Sequence, residues 1–165
     1  MKKKTVFIGI LFSFLLVVKK LITFSGSALI MTSLIFAIPE SAYADTAVFY
    51  YNQGIDKFKK GYFYGAIHDY TKAIEIDPND FKAYVNRGIT KTKLDLPEKA
   101  IADFNKAIEI NPKSYRAYLS RAFAKHVLKD YLGAIADFNK AIEINPKDSR
   151  AYFGLGEAKL GLGDL

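Results

Sequence analysis

His68 and His126 are the only imidazoles in this 165-residue chain, and cysteine and tryptophan are absent. Without cysteine there is no disulfide framework, no Cys-zinc or iron–sulfur site and no thiol nucleophile. His68 precedes Asp69, the arrangement of a His–Asp dyad, but no nucleophile accompanies the pair, and Ala102 and Ala136 stand at the equivalent repeat positions. His68 therefore reads as a surface histidine, and His126 as a groove or packing residue. Asp69, Asp103 and Asp137 recur at a spacing of 34, which puts each on a separate helix. That column reads as structural pairing with Arg87 and Arg121. Asp77-Pro78-Asn79-Asp80 is a turn that lacks the ligand spacing and closing Glu of a calcium loop. Neither a Gly-rich phosphate loop nor an HExxH pair occurs. The expectation is a non-catalytic protein with no catalytic residue, no metal ligand and no cofactor.

The elements that position these residues follow from self-comparison. Ala100–Lys113 reads AIADFNKAIEINPK, and Ala134–Lys147 repeats all 14 letters at an offset of 34. One period earlier, Ala66–Asn79 reads AIHDYTKAIEIDPN. Tyr50, Tyr84, Tyr118 and Tyr152 keep the same spacing, as do Lys57, Lys91, Lys125 and Lys159. The units are 47–80, 81–114 and 115–148, with a partial fourth at 149–165. Ala100, Ile101, Phe104, Ala107 and Ile108 mark one apolar face of a helix in the second half of a unit. That helix ends at Asn111, because the residue before Pro112 is pushed out of the α region. In the first half, Gly54, Gly88, Ala122 and Gly156 are small where a neighbouring helix approaches. Gly88 lies mid-helix, so Gly88→Ala is expected to be mild or stabilising and Gly88→Leu to overpack. The halves break at Gly61-Tyr62, Asp95-Leu96-Pro97 and Lys129-Asp130, where Pro97 suits the first helical turn.

This pattern resembles the tetratricopeptide repeat, a 34-residue helix–turn–helix. An aromatic stands at position 4, small residues at 8, 20 and 27, an aromatic at 24 and Pro at 32. In the second unit those positions hold Tyr84, Gly88, Ala100, Ala107, Phe104 and Pro112. Two positions depart from the family: 11 is Lys throughout, and 7 is Gln53, Arg87 and Arg121. The resemblance, which covers 47–165, implies an all-α solenoid of antiparallel helix pairs in a right-handed superhelix with one concave groove. It also implies a scaffold that binds a peptide or partner-protein segment in that groove.

Family-like positions 2, 5, 6 and 9 of the first helices face the groove. They supply the candidate partner-binding residues Lys82, Arg116, Arg150, Tyr51, Asn52, Asn86, Leu119, Phe123 and Phe153: a basic column beside an apolar and aromatic strip. Some family members clamp a peptide's C-terminal carboxylate with Lys, Asn, Asn, Lys and Arg. Only Asn86 and, as a Lys-to-Arg change, Arg116 match that set, whereas Tyr51, Ile55 and Ser120 depart from it. The alternative is that the charges simply solvate the face. The expected ligand is acidic on one side and apolar on the other.

Residues 1–44 have a different composition. Thr5–Val18 carries no charge for 14 residues and Leu21–Ile38 none for 18, with Lys19 and Lys20 between them. As helices these would span about 21 and 27 Å against a hydrocarbon core of about 30 Å. Pro39 and then Ala42-Tyr43-Ala44 follow, the small-x-small pattern of signal cleavage. The segment is expected to be either a cleaved signal peptide or a membrane anchor, with the remainder outside the cytoplasm (periplasm, lumen or extracellular) because the Lys clusters precede the main apolar run. In the anchored case the alternative function is an assembly factor for a membrane complex. These 44 residues hold five Lys and one Glu, so the net charge of +7 falls to +3 over 45–165. No basic stripe remains there, and nucleic acid is not an expected partner. The partial fourth unit leaves Leu155, Leu160 and Leu162 short of cover, which suits a partner, self-association with a second copy, or a gene cut short.

Overall fold

The structure, a computed structural model, describes residues 40–163. The apolar signal or anchor helix expected before Glu40 lies outside them. Among the described residues there are seven α-helices and no strand: α1 (Glu40–Lys59), α2 (Phe63–Ile76), α3 (Phe81–Lys93), α4 (Pro97–Ile110), α5 (Tyr115–Val127), α6 (Tyr131–Ile144) and α7 (Ser149–Leu162). None of these is long and apolar enough to cross a membrane. The chain divides into Met1–Thr46 and Ala47–Leu165. Of the first unit, only the opening turns of α1 are described. In the second, successive helices pack on one another from α2 to α7, and the first helices also touch directly, α3 with α5 and α5 with α7.

The turns between repeats are built by short polar side chains ahead of proline. Asp77, Asn111 and Asn145 each accept, through Oδ1, the backbone N–H two residues on, at 3.0, 3.1 and 3.3 Å. These Asx turns give the N–H groups after each proline an acceptor where the helix can no longer continue. Asp80 and Asp148 then cap α3 and α7 by accepting from Lys82 N and Arg150 N.

The turns within a repeat rest on one left-handed residue, at the same repeat position each time. Gly61 has φ +78°, Asp95 +57°, Lys129 +61° and Gly163 +82°. A side chain in this region crowds the following carbonyl, at a cost of about 1–2 kcal/mol, part of which glycine loses again to its extra freedom when unfolded. Lys129→Gly should therefore raise stability by about 1 kcal/mol. Equilibrium urea unfolding checks this: an unchanged or lower midpoint at constant slope would mean that Lys129 is not strained.

Inside each pair, an aromatic ring of the second helix lies on a small residue of the first. A Cβ built on Gly54 would stand 2.6 Å from Tyr70 Cε1, and one on Gly88 2.5 Å from Phe104 Cε1. Tyr70, Phe104 and Phe138 are fully buried. The third repeat shifts the space. There Ala122 carries the methyl, and the ring of Phe138 meets Gly154 on α7 instead. Gly156, the formal equivalent of Gly54 and Gly88, has nothing within 4 Å of its Cβ. The expectation that it lies at a close helix approach does not hold among the described residues.

The carboxylate column is buried and paired. Arg87 grips Asp103 with two bonds, Nε to Oδ2 at 3.1 Å and Nη2 to Oδ1 at 2.7 Å, while Lys91 Nζ lies 2.7 Å from Asp103 Oδ2. Arg121 and Lys125 repeat this on Asp137. Lys57 Nζ stands 2.7 Å from Asp69 Oδ2. The Lys at position 11 of the three full units, and the Arg at position 7 in the second and third, thus supply cations for a buried Asp on the facing helix, whereas Gln53 at position 7 of the first adds none. Arg87 also donates to Thr71 Oγ1 and Arg121 to Asn105 Oδ1, and each guanidinium stacks on the Tyr one turn earlier. These bonds join each repeat to the one before it.

Candidate functional site

Positions 5 and 9 of α1, positions 2, 5, 6 and 9 of α3 and position 2 of α5 meet on one surface, and two hollows open there. One, of 260 Å³, is lined by Tyr51, Ile55, Phe58 and Lys59 of α1, Tyr70 of α2, Asn86 and Ile89 of α3, and Arg116 of α5. The other, of 240 Å³, lies beside Phe81, Lys82 and Val85 and shares Tyr51 and Arg116 with the first. Four of the sequence-derived groove residues, Tyr51, Asn86, Lys82 and Arg116, therefore line the hollows.

Tyr51 is the centre of this surface. Its ring packs at 6.0 Å from that of Tyr70, and its hydroxyl accepts from Asn86 Nδ2 at 3.0 Å. Burial, reinforced by the Asp80 charge, raises the Tyr51 pKa above the usual phenol value. Burial likewise pushes Tyr70 up to about 12, with Tyr51 as the next contributor. Both phenols therefore stay protonated in any physiological medium, and the Tyr51 O–H keeps a proton to donate. Asn86 is buried and its amide is committed to Tyr51, so it braces the wall of the hollow rather than reaching out from it.

The remaining five candidates sit elsewhere. Leu119, only 5% exposed, belongs to the core between α5, α6 and α7 and is no open groove floor. Phe123 lies edge-on to Phe138 at 5.0 Å, half-buried in the same core. Phe153 is 69% exposed on α7, Asn52 is exposed on α1, and neither lines the two hollows. Arg150 is folded onto Asp148, which it meets at 2.5 Å, and its hydrogen bonds hold that carboxyl well below the usual range. Its charge is spent on the cap of α7, so the basic column is interrupted there.

Ile55, Ile89 and Val85 occupy positions already assigned to the groove, but Phe58 and Lys59 do not. Their signal was weak, because position 12 alternates Phe58, Thr92, His126 and Leu160. His126 itself packs edge-on against Tyr131 at 5.5 Å, and His68 is exposed. Among the described residues no group of His, Asp or Glu is disposed to hold a metal.

Residues 47–80 and 81–114 each match the family described as tetratricopeptide repeat, and residues 126–163 match one described as TPR repeat. Among solved structures, the TPR2B domain of yeast Sti1, in a complex with pHsp70, is 32% identical, covering 69% of this chain and 96% of that one with a TM-score of 0.66. The chain belongs to the tetratricopeptide-repeat family. The first tetratricopeptide-repeat domain of Spaghetti (RPAP3), bound to the HSP90 peptide SRMEEVD, is 27% identical over 71% of this chain and 93% of its own, at a TM-score of 0.70. The second such domain of human RPAP3, in complex with the HSP70 peptide SGPTIEEVD, is 26% identical over 71% and 98%, at 0.69. No curated protein sequence matches. As a tetratricopeptide-repeat chain this protein is a scaffold of the protein-interaction type, and the hollows on its first helices are its candidate interface.

Proposed function

We propose that the surface of α1, α3 and α5 holds a segment of a partner protein, acidic along one side and apolar along the other. The observation that carries this reading is the position of Arg116, which borders both hollows beside Tyr51, with Lys82 and Lys59 at their other edges. Acidic groups of the ligand would meet these cations and the Tyr51 hydroxyl, while apolar side chains would rest on Ile55, Phe58 and Ile89. The acidic peptides SRMEEVD and SGPTIEEVD in the similar structures support that chemistry. The cations would mainly speed encounter, and the apolar wall would supply most of the affinity. A partner recovered from extract of the native host provides the test, by surface-bound kinetics at low and high salt. Joint reversal of Lys82 and Arg116 to Glu should slow association about tenfold at low salt and flatten its salt dependence. Ile55→Ala should instead speed dissociation. Wild-type kinetics for both variants would move the interface to another face.

The charge and apolarity pattern of residues 1–44 supports a place outside the cytoplasm, either as an exported scaffold or, with the apolar segment kept, as an anchored assembly factor for a membrane complex. Intact-mass measurement separates the two. A species beginning at Asp45 means cleavage after Ala44, and a full-length membrane species as the sole product means an anchor.

A further inference from the structure

The two hollows share a rim, and that rim limits what can lie across them. The larger hollow draws on the later turns of α1 and α3, with Ile55, Phe58 and Ile89 as its apolar wall. The smaller draws on the opening residues of α3 and α5, with Phe81 and Val85 as its apolar wall. Tyr51 and Arg116 border both, so they form the saddle between them. Val85 and Ile89 stand one helical turn apart on α3, about 6 Å along its axis.

The saddle is a donor site. Arg116 is exposed and, among the described residues, has no ion pair. Its guanidinium donates and cannot accept. The Tyr51 oxygen accepts from Asn86 Nδ2 at 3.0 Å, which directs its own hydrogen elsewhere, and among the described residues nothing accepts that hydrogen. Burial, reinforced by the Asp80 charge, raises the Tyr51 pKa and so keeps the hydrogen in place. A carboxylate, with two oxygens and a negative charge, is the group that meets both donors.

Resting on the groove reading above, we propose that the ligand crosses the saddle with an internal Asp or Glu, flanked by two apolar side chains, one seated in each hollow. The acid is a side chain and not the ligand's terminus. A terminal carboxylate on the saddle would put the rest of the ligand on one side and leave the other hollow open to water. A segment that continues past the acid covers both apolar walls. An extended chain advances about 3.3 Å per residue, so apolar residues two or three apart span the hollows. Asn86 acts as a positioning residue, setting the direction of the Tyr51 hydrogen without touching the ligand.

The probe is the peptide Gly-Ser-Phe-Glu-Glu-Leu-Ser-Gly with an N-terminal fluorescein and a C-terminal amide, titrated into the full chain in mild detergent and followed by anisotropy. Saturable one-to-one binding is expected. The same peptide with a free terminal carboxylate should bind within about twofold of the amide, since its terminus lies beyond the saddle. Changing the Phe or the Leu to Ser should each weaken binding about tenfold, as should changing both Glu to Gln. Tyr51→Phe should weaken the Glu peptide about fivefold and the Gln peptide by about twofold at most, a difference that a loss of structure would not produce. A free-acid peptide bound about tenfold or more tighter than the amide would make the terminus the recognised group and overturn the proposal. Equal binding of the Glu and Gln peptides, or indifference to loss of the Phe or the Leu, would overturn it too. So would no binding of the amide, and the Lys82 and Arg116 reversal then separates the two readings. If that reversal still slows the native partner, the groove stands and only the side-chain order falls; if it does not, both fall.

Discussion

Asp103→Ala should destabilise the repeat domain by about 3 kcal/mol, because it strands two cations against a carboxylate-free cavity. The Asp103 side chain is 5% exposed, and Arg87 and Lys91 are held to it at 16% and 18%. Removing the acid leaves both charges in partial burial. It also releases Arg87 from the geometry in which it bonds Thr71 and stacks on Tyr84, so the coupling between the first and second repeats weakens too. The same change in the first repeat should cost less. Among the described residues Asp69 is ion-paired with Lys57 alone, and that lysine, 37% exposed, recovers much of its hydration. The measurement is equilibrium unfolding in urea, reading midpoints for Asp103→Ala and Asp69→Ala beside the parent. Equal small shifts for the two would mean that the ion triads contribute no more than surface pairs. A double change of Arg87 and Asp103 to apolar residues should lose less than Asp103→Ala alone, since most of the loss is the penalty of unpaired charge.

Gly88→Leu should cost about 3 kcal/mol, and Gly88→Ala, although alanine is the better helix former, about 1 kcal/mol. The ring of Phe104 occupies the volume a Cβ would need, and Phe104 is fully buried with no room to swing aside. The third repeat indicates how the methyl is accommodated. With Ala122 on one side of Phe138, the ring leans on Gly154, which stands 16 residues after it. Ser120 bears the same relation to Phe104. Gly88→Ala combined with Ser120→Gly should therefore show favourable coupling of about 1 kcal/mol in a double-mutant cycle. Additive losses would mean that the two sites do not share one ring.

The repeat register, the two-helix unit and its boundaries were legible from identity at an offset of 34, because a periodic chain reports its own alignment. So was the pairing of the Asp column with Arg87 and Arg121. It is a local consequence of two antiparallel helices joined by a short turn, which puts positions 7 and 23 opposite each other. The groove was legible as a set of positions but not as a set of available side chains. Leu119 and Phe123 share their positions with Tyr51 and Ile55. They are drawn into the core because α7 covers them, and no single helix carries information about what packs over it.

Periodicity also treats every copy of a position as equivalent. On that footing Gly156 reads as a seat like Gly88, and Gly88→Ala as mild or stabilising. Periodicity determined which residue types recur. Tertiary structure decided which copies are filled, where the cation at position 2 is free or, as at Arg150, bound to its own cap, and on which side of Phe138 the missing methyl lies. The physical reason is that backbone pattern depends on neighbours in sequence, whereas burial, ion pairing and ring packing depend on volume and charge supplied by other helices.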